Sequence, residues 1–400
     1  MTALATTRQP STDIDPFSEA FFADPAPFHG RLRDLGPVVW LERYDVRGMA
    51  RHAQVFAALN DWQTYTSGAG AGIQNLKNSK AWRPQSIVLE ADPPLHDQTR
   101  GALSRVLSGP AVRQLRPAFE AEAERLVETL VARGSFDAIA DLAVVYPLKV
   151  MGDAVGVPEQ GRECLLPFSN MLFNSFGPDN AIFRRSIGEA EGVLKELFAQ
   201  CERSALTPGG FGTQIYQAAD EGRITQEQAP ALVRAILSAG FDTTVSGLGN
   251  AIHAFATHPE EWRRVAREPR LQRTAFDEVL RWATPVQTFF RTTSRPVEIE
   301  GTRLGADEKV LLFLAAANHD SRKWSEPDRF DVTRNTAGHV ALGQGIHVCV
   351  GQMIARLEAE LILAAFAKRI ERFELAGEPV LRPNNTLRGF ATLPVRVLAS

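Results

Sequence analysis

Cys349 stands at fixed offsets from residues that suit it to hold a metal: Gly343, Gly345 and His347 precede it, and Gly351 follows two positions later. The thiolate is the form of cysteine that ligates metals, and it is a soft donor. Two glycines just ahead of it let the backbone turn sharply and approach a flat partner closely. Beyond it, Val350, Ile354, Leu357 and Leu361 fall at the spacing of a buried helical stripe, while Gln352, Arg356 and Glu360 fall mostly elsewhere. The spacing therefore predicts Cys349 where a loop becomes a helix, and free N–H groups and the helix dipole there favour a thiolate. A lone cysteine is more often a small buried hydrophobe. The glycines, His347 and the helix start, all in register with one sulfur, favour the ligand.

A second chemical centre is expected in the longest helical candidate, Ile224 to Thr257, which opens on a capping box at Thr225-Gln226-Glu227-Gln228. Its middle, Ala239-Gly240-Phe241-Asp242-Thr243-Thr244, is built from poor helix formers. A hydroxyl or a water can insert into the ladder there and bend it, and such a run inside a long helix points to a functional distortion carrying Asp242 and Thr243. Arg234, Ser238 and Asp242 recur at i, i+4 and i+8, so they share roughly one side, with Arg234 about 12 Å of helix rise from Asp242. An arginine beside an apolar pocket wants an anion. Arg83, with Ser86 three residues on, is another candidate for that task, and Phe173, Phe176 and Phe289 supply flat apolar walls. Singly, such arginines are usually surface charges and such aromatics core packing.

These residues must be positioned by scaffold. Asp92-Pro93-Pro94 ends an extended segment and opens a helix on which His96 and Arg100 share a face, a solvated pair or a pair of donors for buried anions. Glu278 and Arg281 form an i, i+3 pair on another helix, and Arg291 follows in Phe289-Phe290-Arg291-Thr292-Thr293. Pro37 to Asn60 reads as a small hairpin sheet, and Val297–Ile299, a turn at Gly301 and Lys309–Leu314 read as a second. The glycines of 67–72 lack the strand, helix and spacing of a nucleotide loop, so a mobile loop running through Trp82 to Ser86 is expected.

Composition narrows the options. The 400-residue chain is 44% hydrophobic and 23% charged with net charge −3, which allows a sizeable core and leaves no basic footprint for nucleic acid. Cys164, Cys201 and Cys349 are too few and scattered for a disulfide framework or zinc cluster, so a reducing compartment fits. The start carries no secretory pattern, and the longest apolar runs, Val310–Ala317 and Leu361–Ala367, fall short of the roughly 20 residues a membrane helix needs. A soluble, cytoplasmic protein is expected.

Gly343-x-Gly345-x-His347-x-Cys349-x-Gly351 resembles the haem-binding loop of the cytochrome P450 monooxygenases, with Leu342 where that family usually has phenylalanine. The other motifs resemble the same family in order, from about residue 90 to residue 360. The resemblance implies a mainly α fold with small β-sheets, one haem domain over residues 1–400, and haem b ligated through Cys349 and cradled by Gly343, Gly345 and His347. It implies that His96, Arg100 and Arg291 meet the haem propionates, that Asp242 and Thr243 deliver protons during oxygen activation, and that Glu278 and Arg281 brace the core behind the loop. No flavin or nicotinamide fingerprint is present, so electrons from NAD(P)H are expected through a flavin-dependent reductase and an iron-sulfur ferredoxin, meeting surface cations such as Arg105 and Arg356. A narrower resemblance, to the bacterial branch oxidising para-substituted benzoic acids, implies O-demethylation or hydroxylation at the para group. Arg83, Ser86 and Ser238 would then hold the carboxylate with Arg234 nearby, Phe173, Phe176 and Phe289 would wall the ring, and Ala235 stands where a serine is expected. A peroxide-driven haem enzyme and a haem-thiolate sensor or carrier are the alternatives.

Overall fold

A computed structural model of the protein describes residues 10–79 and 83–399. Helices build most of it. A large apolar core takes in Phe119, Tyr146, Leu237, Phe255, Trp262, Phe276 and Phe366, all buried. The helix Gln352–Ala367, which follows the cysteine, lies in this core against the helices Gly109–Arg133 and Pro269–Ala283. Its buried Ile354, Leu357 and Leu361 are the stripe that the spacing predicts. Truncating one such core aromatic, Phe366→Ala, would cost about 3–5 kcal/mol.

The predicted long helix is two helices, Gln228–Gly240 and Asp242–Thr257, meeting at Phe241. Its start is a reciprocal capping box: the Thr225 N–H donates to Gln228 Oε1 at 2.8 Å and the Gln228 N–H to Thr225 Oγ1 at 3.3 Å. At the break the Thr243 hydroxyl donates to the Ala239 carbonyl at 2.7 Å and that of Thr244 to Gly240 at 2.8 Å. Side-chain hydroxyls thus bond carbonyls one turn back, the competition with the backbone ladder that bends helices.

The Val39–Leu41 and Val46–Met49 hairpin is present, but the second predicted sheet is divided. Val297–Ile299 pairs with Thr302–Leu304 in a separate two-stranded sheet, whereas Lys309–Phe313 joins the first sheet between Val46–Met49 and Thr288–Thr293. All five residues of Lys309–Phe313 are buried, and a strand covered on both faces belongs in a sheet interior. Arg291 lies opposite Val310 in this sheet.

The glycine stretch is not a mobile surface loop. Ser67, Ala69 and Ala71 are fully buried. The Asp92 carboxylate accepts from the N–H groups of Ser67 and Gly68 and from the Thr66 hydroxyl, while Lys309 Nζ donates to the carbonyl of Gly70 at 2.8 Å. Buried backbone groups need partners, and these side chains supply them. Asp92 accordingly makes no side-chain cap on the helix Leu95–Val106. Of the expected continuation from Trp82 to Ser86, Trp82 lies outside the described residues.

Candidate haem-thiolate site

The cysteine loop is set by its glycines and by what lies behind it. Gly343 and Gly345 have φ of +70° and +63°, the left-handed region that glycine adopts without penalty. A Cβ at Gly345 would stand 2.6 Å from the carbonyl oxygen of Leu59, so this glycine serves close packing on the helix His52–Asn60. The Cys349 N–H donates to the Leu342 carbonyl at 2.8 Å, closing the turn. Burial pushes the Cys349 thiol up, against the opposing pull of the Gly351 N–H, the charges of Arg100 and Arg356, and the Gln352 N–H. The helix start alone therefore does not make the thiolate, contrary to the sequence expectation, because desolvation of the sulfur outweighs it. A bound cation would supply the missing stabilisation.

Behind the loop, Arg281 and Glu278 are both fully buried and form a two-armed pair, Nε to Oε2 at 2.7 Å and NH2 to Oε1 at 2.8 Å. Arg281 also donates to the carbonyls of Asn318, Pro327 and Arg329, and Glu278 accepts from the Asp331 N–H and from Arg334. The pair thereby ties the helix Pro269–Ala283 to the irregular segment that leads into the cysteine loop. A buried charge pair is tolerable when its remaining donors and acceptors are used in this way.

On another side of the loop four nitrogen-bearing side chains converge with too little negative charge among them. The His96 and His347 rings lie 4.7 Å apart, edge to face, and both Nε2 atoms are buried without a hydrogen-bond partner among the described residues. Arg100 donates to the Val348 carbonyl at 2.5 Å. Arg291 is buried in its strand; among the described residues its side-chain hydrogen bond goes to the neighbouring Phe290 carbonyl at 2.9 Å, and the acid whose charge acts on it is Asp92. Burial pushes Arg291 down to about 10 and His347 down to about 2, the latter helped by the charges of Arg291, His96 and Arg100. Buried cations and orphaned ring nitrogens of this kind call for an anion. The two carboxylates of a haem suit them, beside a sulfur suited to its iron. The residues present therefore fit haem.

Asp242 is completely buried, and the charged group that reaches it is Arg382, whose NH2 donates to Asp242 Oδ1. Burial raises the Asp242 carboxyl and Arg382 lowers it, with burial prevailing. The other oxygen, Oδ2, has no hydrogen-bond partner among the described residues. Thr243, the next residue, has its hydroxyl on the Ala239 carbonyl.

The expected substrate residues divide into two groups. Phe173, Phe176 and Phe289 form one apolar cluster, with ring centroids 5.9 Å apart for Phe173–Phe176 and 5.6 Å for Phe176–Phe289. The Arg83 guanidinium lies 5.3 Å from the centre of the Phe176 ring, and its charge is paired with buried Glu90. Glu90 also accepts from the Ser86 N–H at 3.0 Å, while the Ser86 hydroxyl accepts from the Leu89 N–H at 3.1 Å. Arg234 belongs elsewhere: its guanidinium is stacked 4.6 Å from the Phe198 ring, on the helix Leu194–Gln200. Ser238 is buried against the helix Leu165–Asn174, its hydroxyl on the Ala235 carbonyl and its own carbonyl accepting from Ser169. Of the surface cations, Arg105 is exposed and Arg356 is held by Asp277 at 2.8 Å.

Sequence reasoning passed over Glu90, Lys309 and Arg382. Glu90 had a signal, a single acid closing the apolar run Ile87-Val88-Leu89. Arg382 had none, because its partner lies 140 positions earlier.

A model of the family described as cytochrome P450 matches residues 159–398. The chain is 49% identical to cytochrome P450 CYP199A2 of Rhodopseudomonas palustris over 97% of its length and 94% of that protein. It is 31% identical to a vitamin D(3) 25-hydroxylase of Pseudonocardia autotrophica, with 98% of each chain covered. Among solved structures, cytochrome P450 CYP109Q5 from Chondromyces apiculatus superposes with a TM-score of 0.81 at 28% identity, over 97% of this chain and 98% of that one. The chain belongs to the cytochrome P450 family of haem-dependent oxidoreductases, and its fold is theirs.

Proposed function

We propose that this monooxygenase inserts one oxygen atom from O2 into the para substituent of a small benzoic acid, by hydroxylation or, where the substituent is an ether, by O-demethylation. The observation that carries the substrate reading is the placement of the Arg83 guanidinium over Phe176, one ring of the Phe173, Phe176 and Phe289 cluster, with the Ser86 N–H on the same Glu90 that pairs with Arg83. The likeness to the Rhodopseudomonas protein over nearly the whole chain supports it.

Cys349 would hold haem b, and His96, Arg100, Arg291 and His347 would meet its propionates; when bound the group would supply O2 binding and O–O cleavage. The reaction joins one oxygen atom to a substrate C–H bond and releases the other as water, consuming two electrons and two protons. Asp242, with one carboxylate oxygen unengaged in a buried site, holds and passes the protons, and Thr243 at the helix break orients them. A sensor or carrier has no use for such a pair. The electrons come from NAD(P)H through a flavin-dependent reductase and an iron-sulfur ferredoxin, in the cytoplasm, and we read residues 1–400 as one domain.

The test is a panel of para-substituted benzoic acids and their methyl esters, with binding followed by absorption and products by chromatography. Acids should bind and turn over and esters should not; tight binding of esters alone overturns carboxylate recognition. Thr243→Ala should keep acid binding but divert reducing equivalents to peroxide. In the reduced, carbon-monoxide-bound protein, Cys349→Ala should abolish the thiolate-type Soret band, whereas changes at Cys164 and Cys201 should not.

A further inference from the structure

We propose that Arg382 is a positioning residue for proton delivery: it grips one oxygen of the Asp242 carboxylate, leaves the other free, and joins this buried acid to solvent through its own exposed edge. The inference rests on the reading of Asp242 as the proton donor and adds the residue that governs it.

The same chain shows what a purely structural pair looks like. Arg281 and Glu278 engage both carboxylate oxygens and all remaining donors are used. Arg382 and Asp242 instead share a single contact, and both Asp242 Oδ2 and Arg382 Nε are buried with no partner. Asp242 is 0% exposed, whereas the Arg382 side chain is 25% exposed. A half-satisfied pair that spans from a sealed interior to solvent can open without abandoning a set of other bonds, which the Arg281 pair cannot.

Arg382 is also carried on a strap built against the helix of Asp242. Asp242, Ser246 and Asn250 recur at i, i+4 and i+8, one side of that helix. Arg382 meets the first. A Cβ at Gly389 would stand 2.7 Å from Ser246 Oγ, so glycine is what lets the strap lie against the second. The Asn250 amide donates to the Arg388 carbonyl at 3.1 Å at the third. Arg382 and Gly389 close the strap with a backbone bond of 3.0 Å, and its tip is fastened to the helix that carries Phe173. Asn384 donates to Asn170 at 3.0 Å, Asn385 to the Asn174 carbonyl at 2.9 Å and Thr386 to the Phe173 carbonyl at 2.8 Å. The guanidinium is thus held by the backbone at a set place above the acid. Since Arg382 is the charge acting on Asp242, removing it should make the carboxyl harder to ionise.

The experiment compares Arg382→Gln, Arg382→Lys, Asp242→Asn and the Arg382→Gln/Asp242→Asn double variant in the holoenzyme. Two readouts are taken: the pH profile of product formation, and the infrared carbonyl stretch of a protonated buried carboxylic acid. In Arg382→Gln the limb on which activity falls as Asp242 loses its proton should move to higher pH by about one unit or more. A band additional to that of protonated Glu358 should appear at neutral pH and be lost in the double variant, and Arg382→Lys should restore both parental behaviours. A parental profile and spectrum in Arg382→Gln, while Asp242→Asn slows turnover, overturns the role of Arg382 and leaves the proton-donor reading standing. Parental turnover in Asp242→Asn overturns that reading itself. Should Arg382→Gln fold poorly, the double variant, which leaves no buried charge unpaired, and Arg382→Lys carry the comparison.

Discussion

Arg83 and Glu90 form a two-armed ion pair, NH1 to Oε2 at 2.8 Å and NH2 to Oε1 at 3.0 Å, against the Phe176 ring. A third Arg83 donor, Nε, reaches the Ser175 hydroxyl at 3.1 Å. Burial alone would raise the Glu90 carboxyl, yet Arg83 and the N–H groups of Ser86 and Ala71 bring it below its ordinary value. The guanidinium proposed to meet a substrate carboxylate is therefore already neutralised by an internal one.

Two variants separate these anions. Arg83→Ala should weaken benzoic acids by about tenfold or more, the worth of a charge-assisted hydrogen bond, and leave methyl esters little changed. Glu90→Gln keeps an acceptor oxygen for one of the two backbone N–H groups and removes the competing charge, so acids should bind more tightly. Spectral titration reads both. Unchanged acid binding in both variants would mean that Arg83 only fastens the loop before His96.

The buried pair behind the cysteine loop gives a stability prediction. Arg281→Lys keeps the charge but loses the fork that spans both oxygens of Glu278 and the three backbone carbonyls. A loss of about 3–5 kcal/mol in urea unfolding is expected, as for other broken buried pairs, with reduced haem content. A loss below about 1 kcal/mol would show that the segment before the loop holds itself.

How much of this was legible varies with sequence distance. The cysteine loop, the stripe of Ile354, Leu357 and Leu361, the capping box at Thr225 and the pairing of Glu278 with Arg281 are local, so spacing reveals them. The helix break was legible as weak formers, though not that the chain makes two helices. What spacing could not give were partners brought from afar: Asp92 on the glycine stretch, Lys309 beneath it, Arg382 on Asp242. Glycines read alone suggest mobility, and only those distant side chains make the stretch a buried, bonded part of the core. Arg234 was misleading for a related reason: a helical side is a sector, and a long side chain within it turns to the nearest aromatic, here Phe198.

Glu358 predicts a pH dependence. It is buried on the helix after the cysteine, its Oε1 has no partner, and burial pushes its carboxyl from 4.5 up to about 8. The folded state then holds a proton that the unfolded chain releases above about 4.5, so this group favours folding at low pH and its contribution is lost as pH rises toward 8. Glu358→Gln should raise the melting temperature more at pH 8 than at pH 5. An equal shift at both pH values would mean that Glu358 is not held neutral.

Arg291 offers the sharpest test of the cofactor cradle, because its two states pull in opposite directions. A buried guanidinium hydrogen-bonded, among the described residues, to its neighbour's carbonyl alone, with burial outweighing the charge of Asp92, is costly until a further anion reaches it. Arg291→Met, similar in length and apolar, removes that cost, and should stabilise the haem-free chain by about 1–3 kcal/mol in urea. The same change would remove the proposed propionate partner, so haem transfer to an acceptor globin should be faster than from the parent. An ordinary structural arginine would give the reverse in the first measurement, with the haem-free chain losing stability. The combination of a more stable empty chain and a faster loss of haem is what a cation placed for a cofactor carboxylate must produce.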